Sequence, residues 1–378
     1  MKPERRNTEV DMIRTLALIG ICVVNVPFMA LPAEAQVLAP DTLADQIALF
    51  AVEAFFQGKF FLLFSFIFGW GLHIQAASAA RAGVSFGARY SRRLLGLGVI
   101  GAAHAILVFS GDILVLYACL GVLIWPVRNW SARALMRLAF GMTPVAAIAL
   151  ALVAIAVSES GIPPSVGAGL GGSYLEATAT RLRDWPTTFV FIALFNGPLA
   201  FGAFAAGLAA AKSDFFRPGH PVFTRLQRAA PLLLLAGMPL NIAYAATLSE
   251  FAATWPAAVQ GLAFVGLAIG GPMLSVTYLL AIVALARRLK PRGSLLASGR
   301  NSLTGYVTDG ILAGFVFGGY GLGLFGALGH AALFGAALAI ALSGGLIATA
   351  WDRFSPQGPL ETLLRRITYG RPATAPGA

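Results

Sequence analysis

Ten long apolar segments run through the chain, and 24 of its 27 Lys and Arg residues fall in alternate gaps between them. The segments lie near residues 12–31, 47–77, 94–109, 111–127, 138–157, 187–211, 229–249, 257–286, 302–320 and 330–350. A hydrocarbon core about 30 Å thick takes roughly 20 apolar residues per helix. Segments of about 10 residues with alternating hydrophobicity are absent, which excludes a β-barrel reading. The expected fold is all-α: a polytopic integral membrane helix bundle with about ten transmembrane helices.

The sorting is explicit. Lys2, Arg5, Arg6 and Arg14 stand at the start; Arg81, Arg89, Arg92 and Arg93 in gap 78–93; Arg128, Arg133 and Arg137 in gap 128–137. Lys212, Arg217, Arg225 and Arg228 occupy gap 212–228, and Arg287, Arg288, Lys290, Arg292 and Arg300 occupy gap 287–300. Arg353, Arg365, Arg366 and Arg371 follow the last segment. The other gaps hold only Arg181 and Arg183, and Lys59 lies inside a segment. By the positive-inside rule both the N- and C-termini are expected to be cytoplasmic, which needs an even number of spans. One transmembrane domain over 1–350 and a cytoplasmic tail over 351–378 follow.

Composition excludes a soluble domain: 58% of residues are hydrophobic and 11% charged, against about a quarter charged in ordinary soluble proteins. Mean hydropathy is +0.78. The formal charge of +11 is accounted for by a face that meets the anionic headgroups of a lipid bilayer, so no nucleic-acid partner is implied. Cys22 and Cys119 both sit inside spans and make no disulfide framework; packing thiols are expected. Basic residues, an apolar run and Ala33-Glu34-Ala35 resemble a cleavable leader. Glu4, Glu9 and Asp11 in the leader, with Asn25 and Pro27 in its core, weigh against cleavage. Residues 159–186, with Pro163-Pro164 and a glycine-rich stretch, are expected as a flexible connector. Gly314-x-x-x-Gly318 and Gly319-x-x-x-Gly323 are expected at a close helix–helix contact.

Function is sought in the polar groups that remain inside the spans, because ionisable groups there face the bundle interior or a wet cavity. Asn25, Glu53, Gln57, Asn196, Asn241 and Asp309 lie at outer or central depth and are candidate substrate-binding residues. Glu53 and Gln57 share a helix face. Lys59 would either neutralise Glu53 or Asp309, or take a chemical role. His104 is the candidate for proton transfer, since imidazole titrates near neutrality. Residues 94–127 as one helix would reach about 51 Å, so the chain must turn near Ser110-Gly111. That turn would bring Asp112 to His104 and let its carboxylate orient the ring. Asn301 or Ser302 would cap the ninth span, where a helix N-terminus beside Arg300 is a candidate phosphate seat. P-loop, H-E-x-x-H and C-x-x-C motifs are absent, and four scattered His with two Cys make no metal centre.

Residues 6–25 (RNTEVDMIRTLALIGICVVN), 58–71 (GKFFLLFSFIFGWG) and 92–123 resemble the YeiB-like family of bacterial inner-membrane proteins, a domain of unknown function. So do residues 299–306 (GRNSLTGY) and 358–370 (GPLETLLRRITYG). The resemblance implies a multi-pass protein of the bacterial inner membrane. That family is similar to a superfamily of transmembrane acyltransferases, the wider resemblance being carried by Asp11, Arg14 and Asn25. In the superfamily an acyl group passes from a cytoplasmic donor to an acceptor at the outer side. Thr15 stands where the superfamily often has Gly, and residues 32–46 lack the His that its sugar acetyltransferases place after the first span.

Three functions compete. In acyl transfer, His104, Asp112 and Lys59 would be catalytic: base, orienting carboxylate and oxyanion stabiliser. Arg14, Arg300 and Asn301 would meet the phosphates of a donor such as acyl-CoA, with no resident cofactor implied, and a small molecule or lipid would be the acceptor. In transport of a small or amphipathic molecule, Glu53, Lys59, His104 and Asp309 would relay protons or bind substrate, with Pro198 breaking a helix. A lipid- or quinone-binding protein without turnover is the third.

Overall fold

The computed structural model describes residues 7–36, 40–160, 167, 169–291 and 293–370. These form fifteen α-helices and no strand. In chain order they are α1 (Thr8–Ala30), α2 (Leu43–Phe55), α3 (Phe60–Arg81), α4 (Phe86–Leu107), α5 (Leu114–Ile124), α6 (Ala132–Ser160), α7 (Tyr174–Phe195), α8 (Gly197–Lys212), α9 (Pro221–Ala246), α10 (Ala257–Val265), α11 (Leu267–Leu289), α12 (Ala297–Arg300), α13 (Ser302–Phe317), α14 (His330–Trp351) and α15 (Pro359–Tyr369). Lys2, Arg5, Arg6, Arg292, Arg371, Pro163, Pro164 and residues 371–378 of the expected tail lie outside the described residues.

Six helices or helix pairs among the described residues are long and apolar enough to cross a membrane, and a seventh if α7 and α8 form one bent span. The ten expected from hydropathy exceed that number by α4, α5 and α13. Arg89, Arg92 and Arg93 occupy the first half of α4, while α5 has 11 residues and α13 has 16. Large apolar side chains stand exposed along the long helices, among them Phe140, Leu152, Leu235 and Leu346. Outward apolar faces on that scale are the surface of a helical membrane protein.

α1 packs against α3, α11, α12, α13 and α14. It starts on Asn7, whose side chain accepts from the Val10 N–H, with Glu9 and Asp11 in the first turn favoured by the helix dipole. α3 and α8 close in through Gly69 and Gly207, where any side chain would meet the backbone carbonyls of Phe204 and Phe66. Three helices are broken: α2/α3 around Gly58, whose φ of 80° suits glycine; α7/α8 at Asn196 with a 53° bend; and α10/α11 at Gly266.

Contacts define two ends. At the basic end Arg287 of α11 donates to Glu9 of α1 at 3.2 Å, and Arg89 lies over the Tyr369 ring. At the far end the Gly326 N–H donates to Ala30 and the Ala331 N–H to Asp45, both at 2.8 Å. Two stretches differ from their expected form. In the connector 159–186, a helix begins at Tyr174 because Ser173 and Glu176 form a reciprocal capping box. Hydropathy passed over the part of this helix before residue 187 because of its acids and arginines. α13 ends at Phe317, so Gly319 and Gly323 lie in a turn, and Gly319 packs on the backbone of Gly171 and Gly172. In the expected tail, α15 docks Leu364 against Gly96 of α4.

Candidate functional site

The site starts as a local turn. His104 sits in the last turn of α4, and its carbonyl accepts from the Val108 and Phe109 N–H groups, both at 2.9 Å. The chain reverses and Asp112 returns to the ring: Oδ2 lies 2.8 Å from His104 Nδ1. The other carboxylate oxygen accepts from the Leu114 N–H at 2.7 Å and the Val115 N–H at 3.3 Å, so one side chain starts α5 and orients the imidazole. Gly101 makes this approach possible, since a Cβ there would lie 2.9 Å from Asp112 Oδ1 and 2.8 Å from Leu114 Cβ. A carboxylate only accepts, so Nδ1 donates; in the neutral ring this leaves the lone pair on Nε2.

Nε2 is buried and has no hydrogen-bond partner. It faces Gly310 of α13, where a Cβ would stand 2.7 Å away. The Tyr306 ring lies 5.0 Å from the imidazole, centroid to centroid. His104, Tyr306, Asn25, Cys22 and Asp309 line one narrow cleft between α1, α4 and α13. Gly344 of α14 makes room for Asp309, whose carboxylate would meet any side chain there.

The cleft borders a cavity of about 390 Å³, with which it shares the lining residues Ile21, Asn25, Phe109 and Tyr306. Phe28, Phe56, Phe60, Phe61, Phe191 and Phe195 supply an aromatic wall. Gln57 and Gly58 at the α2/α3 break, Asn196 at the α7/α8 bend, and Arg181, Arg183 and Asp184 of α7 supply the polar part. Irregular backbone at membrane depth is tolerated where it lines such a cavity.

The remaining sequence candidates lie elsewhere. Lys59 is fully buried and lines neither space; its ammonium donates to the Glu53 carbonyl at 3.0 Å, at the open end of α2. The Glu53 carboxylate accepts from the Tyr244 hydroxyl at 3.2 Å, while Ser275 and Tyr278 of α11 donate to the carbonyls of Lys59 and Phe55. Asn241 donates to Gly237 within α9 at 2.8 Å and abuts Gly270. At the basic end Arg14 lies 3.8 Å from Asp11, and Arg300 is ion-paired with Asp352. Asn301 accepts from the Gly358 N–H at 2.8 Å. The first turn of α13 is filled by the chain's own Glu361, which accepts from the N–H groups of Leu303 at 2.8 Å and Thr304 at 3.1 Å. Among the described residues no three His, Cys, Asp or Glu side chains group as metal ligands.

Arg181 was not among the sequence candidates. Its Nε donates to Ile106 and its NH2 to Leu107, both at 3.0 Å, closing the end of the helix that carries His104. The charge pattern held a signal for it: Arg181 and Arg183 are the only cations in the gaps that otherwise lack them, so membrane orientation does not account for them.

Residues 210–371 match the family described as a protein of unknown function, DUF418. The chain is 28% identical to the uncharacterized protein YxaH of Bacillus subtilis strain 168, over 95% of this chain and 93% of that one. It is 24% identical to the uncharacterized protein YeiB of Escherichia coli K12, over 96% of each. An uncharacterized 39.9 kDa protein of Bacillus acidopullulyticus, from the amylase 3' region, is 26% identical over 97% of this chain and 95% of its own length. No solved structure matches.

Proposed function

The chain is a YeiB-like protein of the DUF418 family, and on that premise we propose that it is an acyltransferase of the bacterial inner membrane. It would cross the bilayer about ten times with both termini cytoplasmic, α4, α5 and α13 joining the longer spans. The observation that carries the chemistry is the His104–Asp112 pair, whose second ring nitrogen is buried and unpartnered in a residue that lines a cleft bordering a cavity.

A base held this way removes the proton from an acceptor hydroxyl or amine as that atom attacks the acyl carbonyl. With a thioester donor such as acyl-CoA, the new C–O or C–N bond forms, the C–S bond breaks, and the imidazolium returns the proton to the thiolate. Asp112 keeps the ring oriented and stabilises its charged form. The donor phosphates would meet the basic end, where Arg14 is part-exposed.

The test is purified protein in lipid nanodiscs with labelled acetyl-CoA and a membrane-lipid extract. Label moves to an acceptor, and His104→Ala stops the transfer while the protein stays folded. Failure of any acyl donor to bind the folded protein removes the proposal.

Transport of a small amphipathic molecule is the second reading, favoured by one observation: the 53° bend between α7 and α8 puts Asn196 on the cavity wall. Uptake into proteoliposomes without chemical change, lost in Asp309→Asn, selects it over acyl transfer.

A further inference from the structure

The 390 Å³ cavity combines an aromatic wall with one cation that has no anion. Arg181 is 4% exposed and lines the cavity. Among the described residues its hydrogen bonds go to neutral groups: the carbonyls of Ile106 and Leu107 and the hydroxyl of Thr178. Tyr174 stands beside it, its ring 5.9 Å from the guanidinium. No carboxylate lies within ion-pair distance of Arg181 among the described residues, and its neighbour Arg183 takes Asp184 at 2.8 Å.

A helix C-terminus offers a cation about half an elementary charge of compensation. The rest is unmet, and burying a charge without its counter-charge is costly. Lys59 gives the contrast: equally buried, it has the Glu53 carboxylate as an electrostatic partner and lines neither the cleft nor this cavity. Arg181 is placed where a ligand can supply what the chain does not.

We propose that the cavity binds a single-chain amphiphile carrying one anionic group, a carboxylate or a phosphate, with that group on Arg181 and its chain along Phe60, Phe61, Phe191 and Phe195. The cleft at His104 borders the same cavity, with Asn25 and Tyr306 lining both, and a hydroxyl or amine elsewhere on the molecule would approach the unpartnered nitrogen from there. As the identity of the acceptor this rests on the acyl-transfer proposal, so binding is read apart from turnover.

The full chain in nanodiscs is titrated with decanoate, decyl phosphate and decanol, following intrinsic fluorescence or calorimetry. The two anions bind more tightly than decanol, and Arg181→Gln weakens them about 30-fold or more while leaving decanol within about twofold. Whichever anion binds more tightly identifies the headgroup. Arg181→Lys, which keeps the charge and loses the fork, guards against misfolding and retains part of the preference for anions. His104→Ala binds all three as the parent does, and a parent protein that binds the anions but transfers no acyl group counts against acyl transfer and not against this site. Equal binding of decanol and the anions, or an Arg181→Gln protein that is folded and binds anions normally, overturns the proposal.

Discussion

Two buried ionisable clusters sit in this molecule and do opposite things with their polar atoms. At the His104–Asp112 pair, every polar atom but one is engaged; Nε2 is left open at a cleft. At the Lys59–Glu53–Tyr244 cluster, the ammonium and carboxylate are turned to the broken backbone between α2 and α3 and to a neighbouring hydroxyl. The first arrangement holds one ring nitrogen oriented and unpartnered, which is what the proposed chemistry needs. The second repairs a helix end, since an unsatisfied carbonyl away from water costs as much as a lost hydrogen bond. Burial of ionisable groups is common to both; what separates them is an unpartnered atom in a residue that lines a cleft.

That contrast can be broken most sharply at His104. His104→Ala should lower acyl transfer about 10²- to 10⁴-fold, and Asp112→Asn should fall in the same range by holding the wrong tautomer. Thermal melting should change far less than turnover in both, as read by static light scattering. Lys59→Met should invert the pattern, with about 3–5 kcal/mol of stability lost because Glu53 and its carbonyl lose their cation, while the surviving folded fraction keeps its specific activity. A Lys59→Met protein that melts normally but is inactive would put Lys59 in the chemistry and end the distinction. The smallest effect is expected at Gly310→Ala, where a methyl would crowd Nε2. Overpacking of about 1–3 kcal/mol should appear as a loss of kcat/KM of about tenfold or more, with the His104–Asp112 hydrogen bond kept. A normal kcat/KM for this variant would show that substrate does not approach Nε2 from the α13 side.

Most of what was legible in advance was local. The caps at Asn7 and at Ser173 with Glu176 are just as local, yet the expectation of a flexible connector over 159–186 passed over the second. The impossibility of one long helix over 94–127 forced a turn, and only eight residues separate His104 from Asp112. Arg300 and Asn301 had every sequence mark of an anion seat at the start of α13. Asp352, Gly358 and Glu361 occupy them from more than fifty residues away. Lys59 stood out for lying in a span, and its role depended on Glu53, Ser275 and Tyr244 meeting around one break. Arg181 was passed over because its stretch failed a test of apolarity that a capped helix does not need to pass.

The sequence by itself determined the helical class, the apolar surfaces and the separation of a basic end, because hydropathy and charge act through the solvent and need no partner. It also determined the His104–Asp112 pair, through a turn short enough for covalent geometry to govern. Tertiary structure alone decided which buried polar atoms were satisfied and which were left open. A hydrogen bond is a matter of fractions of an ångström between elements far apart in the chain, and no local pattern carries that distance. The same packing set Gly310 against Nε2 and gave Arg181 a cavity in place of a counter-charge.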